Sequence, residues 1–144
     1  MKKGATGETM SLPKPPYSEE TARAVVQRAQ DLWNARDPNV IPAEYSADVQ
    51  WRYKDAFFTG RDGVLPFLEA RWPLQQEYRL AKHLWSFAGN RISVRFESEW
   101  RHADTGQWYR THGNEHWEFD DDGLCRVLDI SANDIPIEPG ERRL

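Results

Sequence analysis

Residues 79–101 read RLAKHLWSFA, then GN, then RISVRFESEWR. Two runs with apolar residues at alternate positions flank Gly89-Asn90, which is the pattern of a β-hairpin closed by a two-residue turn. Such a turn pairs residue 88 with 91. Counting back, Phe87 faces Ile92, Trp85 faces Val94, and His83 faces Phe96, all on one side of the sheet. Ser98 and Trp100 continue that side. The other side of the second run carries Arg91, Ser93, Arg95, Glu97, Glu99 and Arg101, so the apolar side faces inward and the charged side outward.

The pattern extends downstream. A turn is expected over Ala103-Asp104-Thr105-Gly106, a strand over 107–119, a turn at Asp120-Asp121-Asp122-Gly123, and a strand over 124–133. A four-residue last turn pairs Phe119 with Leu124, which sets Glu115 against Leu128 and Gly113 against Ile130. The middle turn allows two registers. If Trp100 pairs with Tyr109, then Tyr109, Thr111, Gly113, Glu115 and Trp117 face inward. If it pairs with Trp108, the inward set is Trp108, Arg110, His112, Asn114, His116 and Glu118. That set would bury several polar groups without partners, which is costly, so the first is preferred.

Upstream the period changes to that of helices. Ser18 is an N-cap, and Glu19 and Glu20 suit the positive end of the helix dipole. Ala22, Val25, Val26, Ala29, Leu32 and Trp33 then recur at helical spacing until Arg36-Asp37-Pro38. A short second helix is expected from Asn39 to Tyr45, with Pro42 in its first turn. Strands follow at 49–53 and 56–59, joined at Lys54-Asp55. A third helix carries Leu65, Phe67, Leu68 and Trp72. Helices beside an antiparallel meander define an α+β fold. The expected divisions are a disordered arm at 1–17, one domain at 18–137, and a tail at 138–144.

Composition bounds the function. The 144 residues include seven Trp, six Phe and five Tyr in a chain only 39% hydrophobic. Large aromatics let so polar a chain form a core, since each buries roughly 150–250 Å². A formal net charge of −4 gives no basic surface for phosphate, so nucleic acid is not an expected partner. No run approaches the roughly 18 apolar residues of a membrane-spanning helix. The single cysteine, Cys125, cannot form an internal disulfide, which fits a cytoplasmic protein.

Certain motifs in combination resemble a known group. They are Tyr45-x-x-Asp48, Thr59-Gly60-Arg61 before a helix, and Trp117-Glu118-Phe119-Asp120-Asp121-Asp122-Gly123-Leu124. Together, over residues 18–134, they look like the nuclear transport factor 2-like (SnoaL-like) superfamily. Tyr78-Arg79-Leu80, Gly89-Asn90-Arg91-Ile92, Val94-Arg95-Phe96 and Gly113-Asn114-Glu115 look more specifically like an uncharacterised, largely bacterial family of unknown function within it, number 1348. The resemblance implies a cone in which a curved antiparallel sheet wraps three helices around a cavity. It also implies homodimers formed through the outer sheet face. The superfamily includes ketosteroid isomerases, polyketide cyclases, dehydratases, epoxide hydrolases and non-catalytic binders. The isomerase acid that donates to the substrate oxygen falls on Glu115. The isomerase base falls near Tyr53 and its helical tyrosine near Ala29; neither can do that work, which argues against steroid-type isomerisation.

The expected site is an aromatic pocket for a small, largely apolar molecule, worked by acid–base chemistry without a cofactor. Glu115 is the candidate acid or base and His83 its partner. The expected lining is Trp33, Trp51, Tyr53, Trp85, Val94, Phe96, Tyr109, Thr111, Trp117, Leu128 and Ile130. The bland alternatives are a structural Glu115 paired with Arg126 or Arg95, and a packed core histidine at 83. His112, Asn114 and His116 do not make a metal site, because strand residues four apart are about 13 Å apart, too far for bonds of roughly 2.0–2.1 Å to one zinc. A non-catalytic binding protein remains the other reading of the same pocket.

Overall fold

A computed structural model describes residues 12–144. The chain runs α1 (Glu19–Ala35), β1 (Tyr45–Tyr53), β2 (Ala56–Thr59), α2 (Val64–Arg71), β3 (Gln75–Ala88), β4 (Arg91–His102), β5 (Trp108–Phe119) and β6 (Cys125–Ile137). The strands make one curved, unclosed sheet in the order β2-β1-β6-β5-β4-β3. Neighbours are antiparallel except β1 and β6, which run parallel. This is the α+β fold expected from the sequence, with one correction. The helix anticipated from Asn39 to Tyr45 is only a single 3₁₀ turn, Pro42–Glu44, so two α-helices among the described residues cover the sheet. Pro42 opens the turn, but Tyr45 is already extended and begins β1.

The helix caps form as the sequence suggests. Ser18 Oγ accepts from Thr21 N at 3.1 Å, and Thr21 Oγ1 accepts from Ser18 N at 2.9 Å, a reciprocal capping box. Arg36 ends α1 in the left-handed region at φ 54°. α1 also covers the exposed edge of β3. The Asn34 carboxamide donates to Leu80 O and accepts from Leu80 N, both at 2.9 Å, and Gln30 Oε1 accepts from Lys82 N at 2.8 Å. Two side chains of one helix thus satisfy a sheet edge and fix where Lys82 sits.

The Gly89-Asn90 turn pairs Ala88 with Arg91 and Phe87 with Ile92, and Trp100 pairs with Tyr109. Farther along, β-bulges change what the turns alone specify. Trp85 is an extra residue between the Leu84–Val94 and Ser86–Ser93 pairs. Beyond it Lys82, not His83, pairs with Phe96, and His83 pairs with Arg95. The last turn pairs Phe119 with Cys125 and not Leu124, and a bulge that skips Arg126 adds a second step, so the β5–β6 register moves by two residues and Glu115 pairs with Ile130 and Trp117 with Leu128. A shift of two keeps every residue on its face, whereas the one-residue bulge at Trp85 reverses the faces of His83 and Trp85.

Two chain ends pack on this frame. Residues 1–11 of the expected arm lie outside the described residues. Within the remainder, Tyr17 is buried, meets Phe119 edge-on at 5.3 Å and donates its backbone N–H to Gly89 O at 3.0 Å. The segment 138–144 folds back onto the outer face around Glu99. Glu99 is 2% exposed and accepts from the N–H groups of Arg143 and Leu144 and from Arg110 Nε. Burial opposes its charge, but these donors outweigh it and hold the carboxyl below the usual range. A carboxyl with a lowered folded-state pKa contributes stability above its unfolded value of about 4.3 and loses it as pH falls through the lower folded value. Amide hydrogen-exchange protection at Arg143 and Leu144 should therefore collapse over that acid range ahead of the β5–β6 core. Glu99→Gln should abolish it at neutral pH.

Candidate functional site

α1 lies across the inner face of the sheet, with Ala22 and Val26 buried. Its other apolar residues, Val25, Ala29, Leu32 and Trp33, border a cavity of about 100 Å³ between the helix, the sheet and α2. That is small beside the roughly 300–1,000 Å³ of sites for drug-sized ligands.

One wall is aromatic. Trp51, only 2% exposed, stacks on Phe58 with centroids 5.1 Å apart. It meets Phe67 at 5.1 Å, Tyr45 at 5.2 Å and Trp33 at 6.5 Å. The sheet continues the lining with Phe96, Ser98, Trp117, Leu128 and Ile130. Gly113 makes room for Phe96, since a Cβ there would lie 2.2 Å from the ring. Leu12 and Pro13 close the end beside Gly123 and Cys125, where Gly123 at φ 86° lets the Pro13 carbonyl approach.

A buried ion pair stands on the sheet wall. Lys82 Nζ bonds Glu115 Oε2, with side chains 6% and 2% exposed. Trp117 Nε1 donates to the other oxygen, Glu115 Oε1, at 2.8 Å. The ammonium also lies 5.4 Å from the ring centroids of Phe96 and of Trp117, in cation–π range. Around the pair the other titratable groups keep their protons. Burial pushes the phenols of Tyr45, Tyr53 and Tyr78 and the thiol of Cys125 upward, and the Glu115 charge adds to the push at all four. Cys125 is therefore no thiolate nucleophile at neutral pH. The groups here suited to giving and taking a proton are Glu115 and Lys82.

Of the expected residues, Glu115, Trp33, Trp51, Tyr53, Phe96, Trp117, Leu128 and Ile130 border the cavity. Five do not. His83 is exposed on the outer face, and Trp85, 66% exposed, lies there under the Arg95 guanidinium; the bulge at Trp85 put both on the wrong side. Val94 is buried in the core, paired across the sheet with Leu84 and Glu115, and does not border the cavity. Tyr109 and Thr111 lie past Gly113, where side chains close the inner face. There Trp100 stacks on Tyr109 at 4.8 Å and donates to Thr111 Oγ1 at 2.9 Å. Glu115 takes neither Arg126, which binds Glu118, nor Arg95. Lys82 was missed, although Leu80-x-Lys82-x-Leu84 carries it on one strand face between two apolar residues. Tyr45 was hidden in the anticipated helix, and nothing in the local sequence marks Arg71. His112 and His116 stay outward, His112 Nδ1 3.4 Å from Glu97 and His116 Nδ1 3.0 Å from Ser93 Oγ. Among the described residues no group of three or more His, Cys, Asp or Glu is placed to hold a metal ion, and no helix is long and apolar enough to cross a membrane.

Solved structures share this architecture. A nuclear transport factor 2-like protein of unknown function from Burkholderia pseudomallei superposes with a TM-score of 0.69 at 20% identity, over 78% of this chain and 90% of that one. A putative polyketide cyclase from Silicibacter gives 0.68 at 17% identity, over 78% and 88%. An epoxide hydrolase/cyclase-like enzyme of pyran ring formation in the polyether salinomycin gives 0.68 at 11% identity, over 81% and 93%. At these identities the likeness is one of fold. No curated protein matches the sequence. A family model covers residues 15–144, nearly the whole chain, so the chain, folded like these nuclear transport factor 2-like structures, belongs to the family described as a protein of unknown function, DUF1348.

Proposed function

We propose that the chain binds a small, largely apolar molecule in the aromatic cavity and transfers a proton on it without a cofactor. Glu115 takes a proton from a carbon beside a carbonyl, and the charge that develops on the carbonyl oxygen is met by the Lys82 ammonium. The proton then returns to another carbon of the same molecule or to solvent. The observation that carries this is the buried Lys82–Glu115 pair on a cavity wall. Such pairs seldom add net stability over an apolar core, so one placed beside a cavity is a candidate for chemistry. The fold neighbours include a putative polyketide cyclase and an epoxide hydrolase/cyclase-like enzyme, a setting in which small-molecule chemistry is at home.

The test uses phenylacetone, an enolisable aromatic ketone, in D₂O. The wild-type chain should speed deuterium incorporation at its CH₂ group, and Glu115→Gln should lose about 10²–10⁴-fold, the usual worth of a positioned general base. Equal exchange by both proteins would refute proton transfer at Glu115. One observation favours a non-catalytic reading: both Glu115 oxygens already have donors, Trp117 Nε1 and Lys82 Nζ. In that case phenylacetone binds wild type and Glu115→Gln alike, with no exchange by either.

The same reading includes a cytoplasmic homodimer joined through the outer sheet face. Its support is the unpaired Cys125 and the exposed Trp85 on a face of cross-strand ion pairs.

A further inference from the structure

The charges around the cavity do not balance. Lys82 is matched by Glu115, and Arg28 reaches Glu44 through two 2.9 Å hydrogen bonds at the rim. Arg71 also borders the cavity and forms no ion pair or side-chain hydrogen bond among the described residues. Its guanidinium carbon lies 4.1 Å from the centroid of the Tyr53 ring and 5.2 Å from that of Phe67. Stacking uses the face of a guanidinium and leaves its N–H edge, which matches a carboxylate with two parallel bonds.

A second guanidinium reinforces this field. Arg36 lies over the rings of Trp72 and Tyr78 at 5.1 and 4.8 Å and donates to the carbonyls of Gln75 and Trp72. It too has no carboxylate partner among the described residues, and its Nε is buried without an acceptor. Two uncompensated cations therefore flank Tyr78 in a chain whose net charge is −4. The Tyr53 and Tyr78 hydroxyls border the same end and make no hydrogen bond among the described residues. Burial keeps both phenols protonated, so each can donate to an anion.

Resting on the small-molecule reading above, we infer that the ligand is a small monocarboxylate, its carboxylate held by Arg71 with the Tyr53 and Tyr78 hydroxyls and its apolar body against Trp51 and Phe67. Anchored there, the acid points its far end toward the Lys82–Glu115 pair. The paired Lys82 and Glu115 leave no net charge of their own, and an Arg71 unanswered among the described residues suits a single negative charge on an apolar body, while the small cavity excludes a bulky polyanion by size.

Calorimetric titration of the full chain with benzoate and with benzamide tests this, since the two differ in charge but little in shape. Benzoate should bind at least about tenfold more tightly, the scale of a charge-assisted bidentate contact. Arg71→Met should bring the ratio to about one and leave benzamide unchanged. Arg71→Lys, which keeps the charge and loses the fork, should retain only part of the preference, and serves if the methionine variant does not fold. Equal binding of both probes by wild type would overturn the anion inference and leave the pocket reading standing. Binding of neither would overturn the pocket reading itself. An undiminished benzoate preference in both variants would overturn the assignment to Arg71.

Discussion

Lys82→Met should destabilise the protein by about 3–5 kcal/mol, because it leaves the Glu115 carboxylate buried and without its counter-charge. The single Trp117 Nε1–H bond, at 2.8 Å, cannot replace the desolvated ammonium. The geometry gives little room for rescue by water, since the two side chains are 6% and 2% exposed. Adding Glu115→Gln to Lys82→Met should return stability to within about 1–2 kcal/mol of wild type, because a neutral amide oxygen still accepts from Trp117 and no charge is left behind. Urea denaturation of the three proteins measures this coupling as a double-mutant cycle. A single-variant loss below about 1 kcal/mol would mean that the carboxylate is well solvated. The cycle also bears on function. A pair that can be removed at little cost is not needed to hold the fold, and its place on the cavity wall then needs another reason.

Trp51→Ala should cost about 3–5 kcal/mol, through lost burial and the cavity left behind. Trp51 touches four aromatic neighbours, Trp33, Tyr45, Phe58 and Phe67, and so joins α1, β1, β2 and α2 in one cluster. Its Nε1–H is buried without an acceptor among the described residues. Trp51→Phe therefore loses no hydrogen bond and should cost only about 1–2 kcal/mol, from ring volume alone. Thermal unfolding followed by circular dichroism separates the two. A phenylalanine variant as unstable as the alanine one would show that the indole N–H matters after all.

The elements of this fold are legible in the sequence because turns and periods are local. Gly89-Asn90 sets the first hairpin, and the expense of burying Arg110, His112 and Glu118 selects the Trp100–Tyr109 register of the second. Phe96, Glu115 and Trp117 on the pocket wall follow from alternation on β4 and β5. The buried partner of Glu115 does not, because alternation cannot foresee a bulge. One extra residue at Trp85 sends His83 and Trp85 outward and brings Lys82 against Glu115. The misplaced second helix has a similar cause: Pro42 starts a turn that Tyr45 converts at once into a strand. Arg71 was silent for another reason. A lone arginine at the end of a short helix is ordinary, and only the three-dimensional arrangement shows that no described residue answers its charge.

The seven tryptophans supply the most direct test of the cavity as a binding site. Trp33, Trp51, Trp72 and Trp117 border it, whereas Trp85, Trp100 and Trp108 do not. Each indole N–H gives its own signal in a two-dimensional nitrogen–proton spectrum. Titration with phenylacetone should move the first group along saturating curves, Trp117 among them because its N–H is tied to Glu115, and leave Trp85 and Trp108 still. Saturating shifts confined to Trp85 and Trp108, or no shift at any indole, would contradict a ligand site between α1 and the sheet.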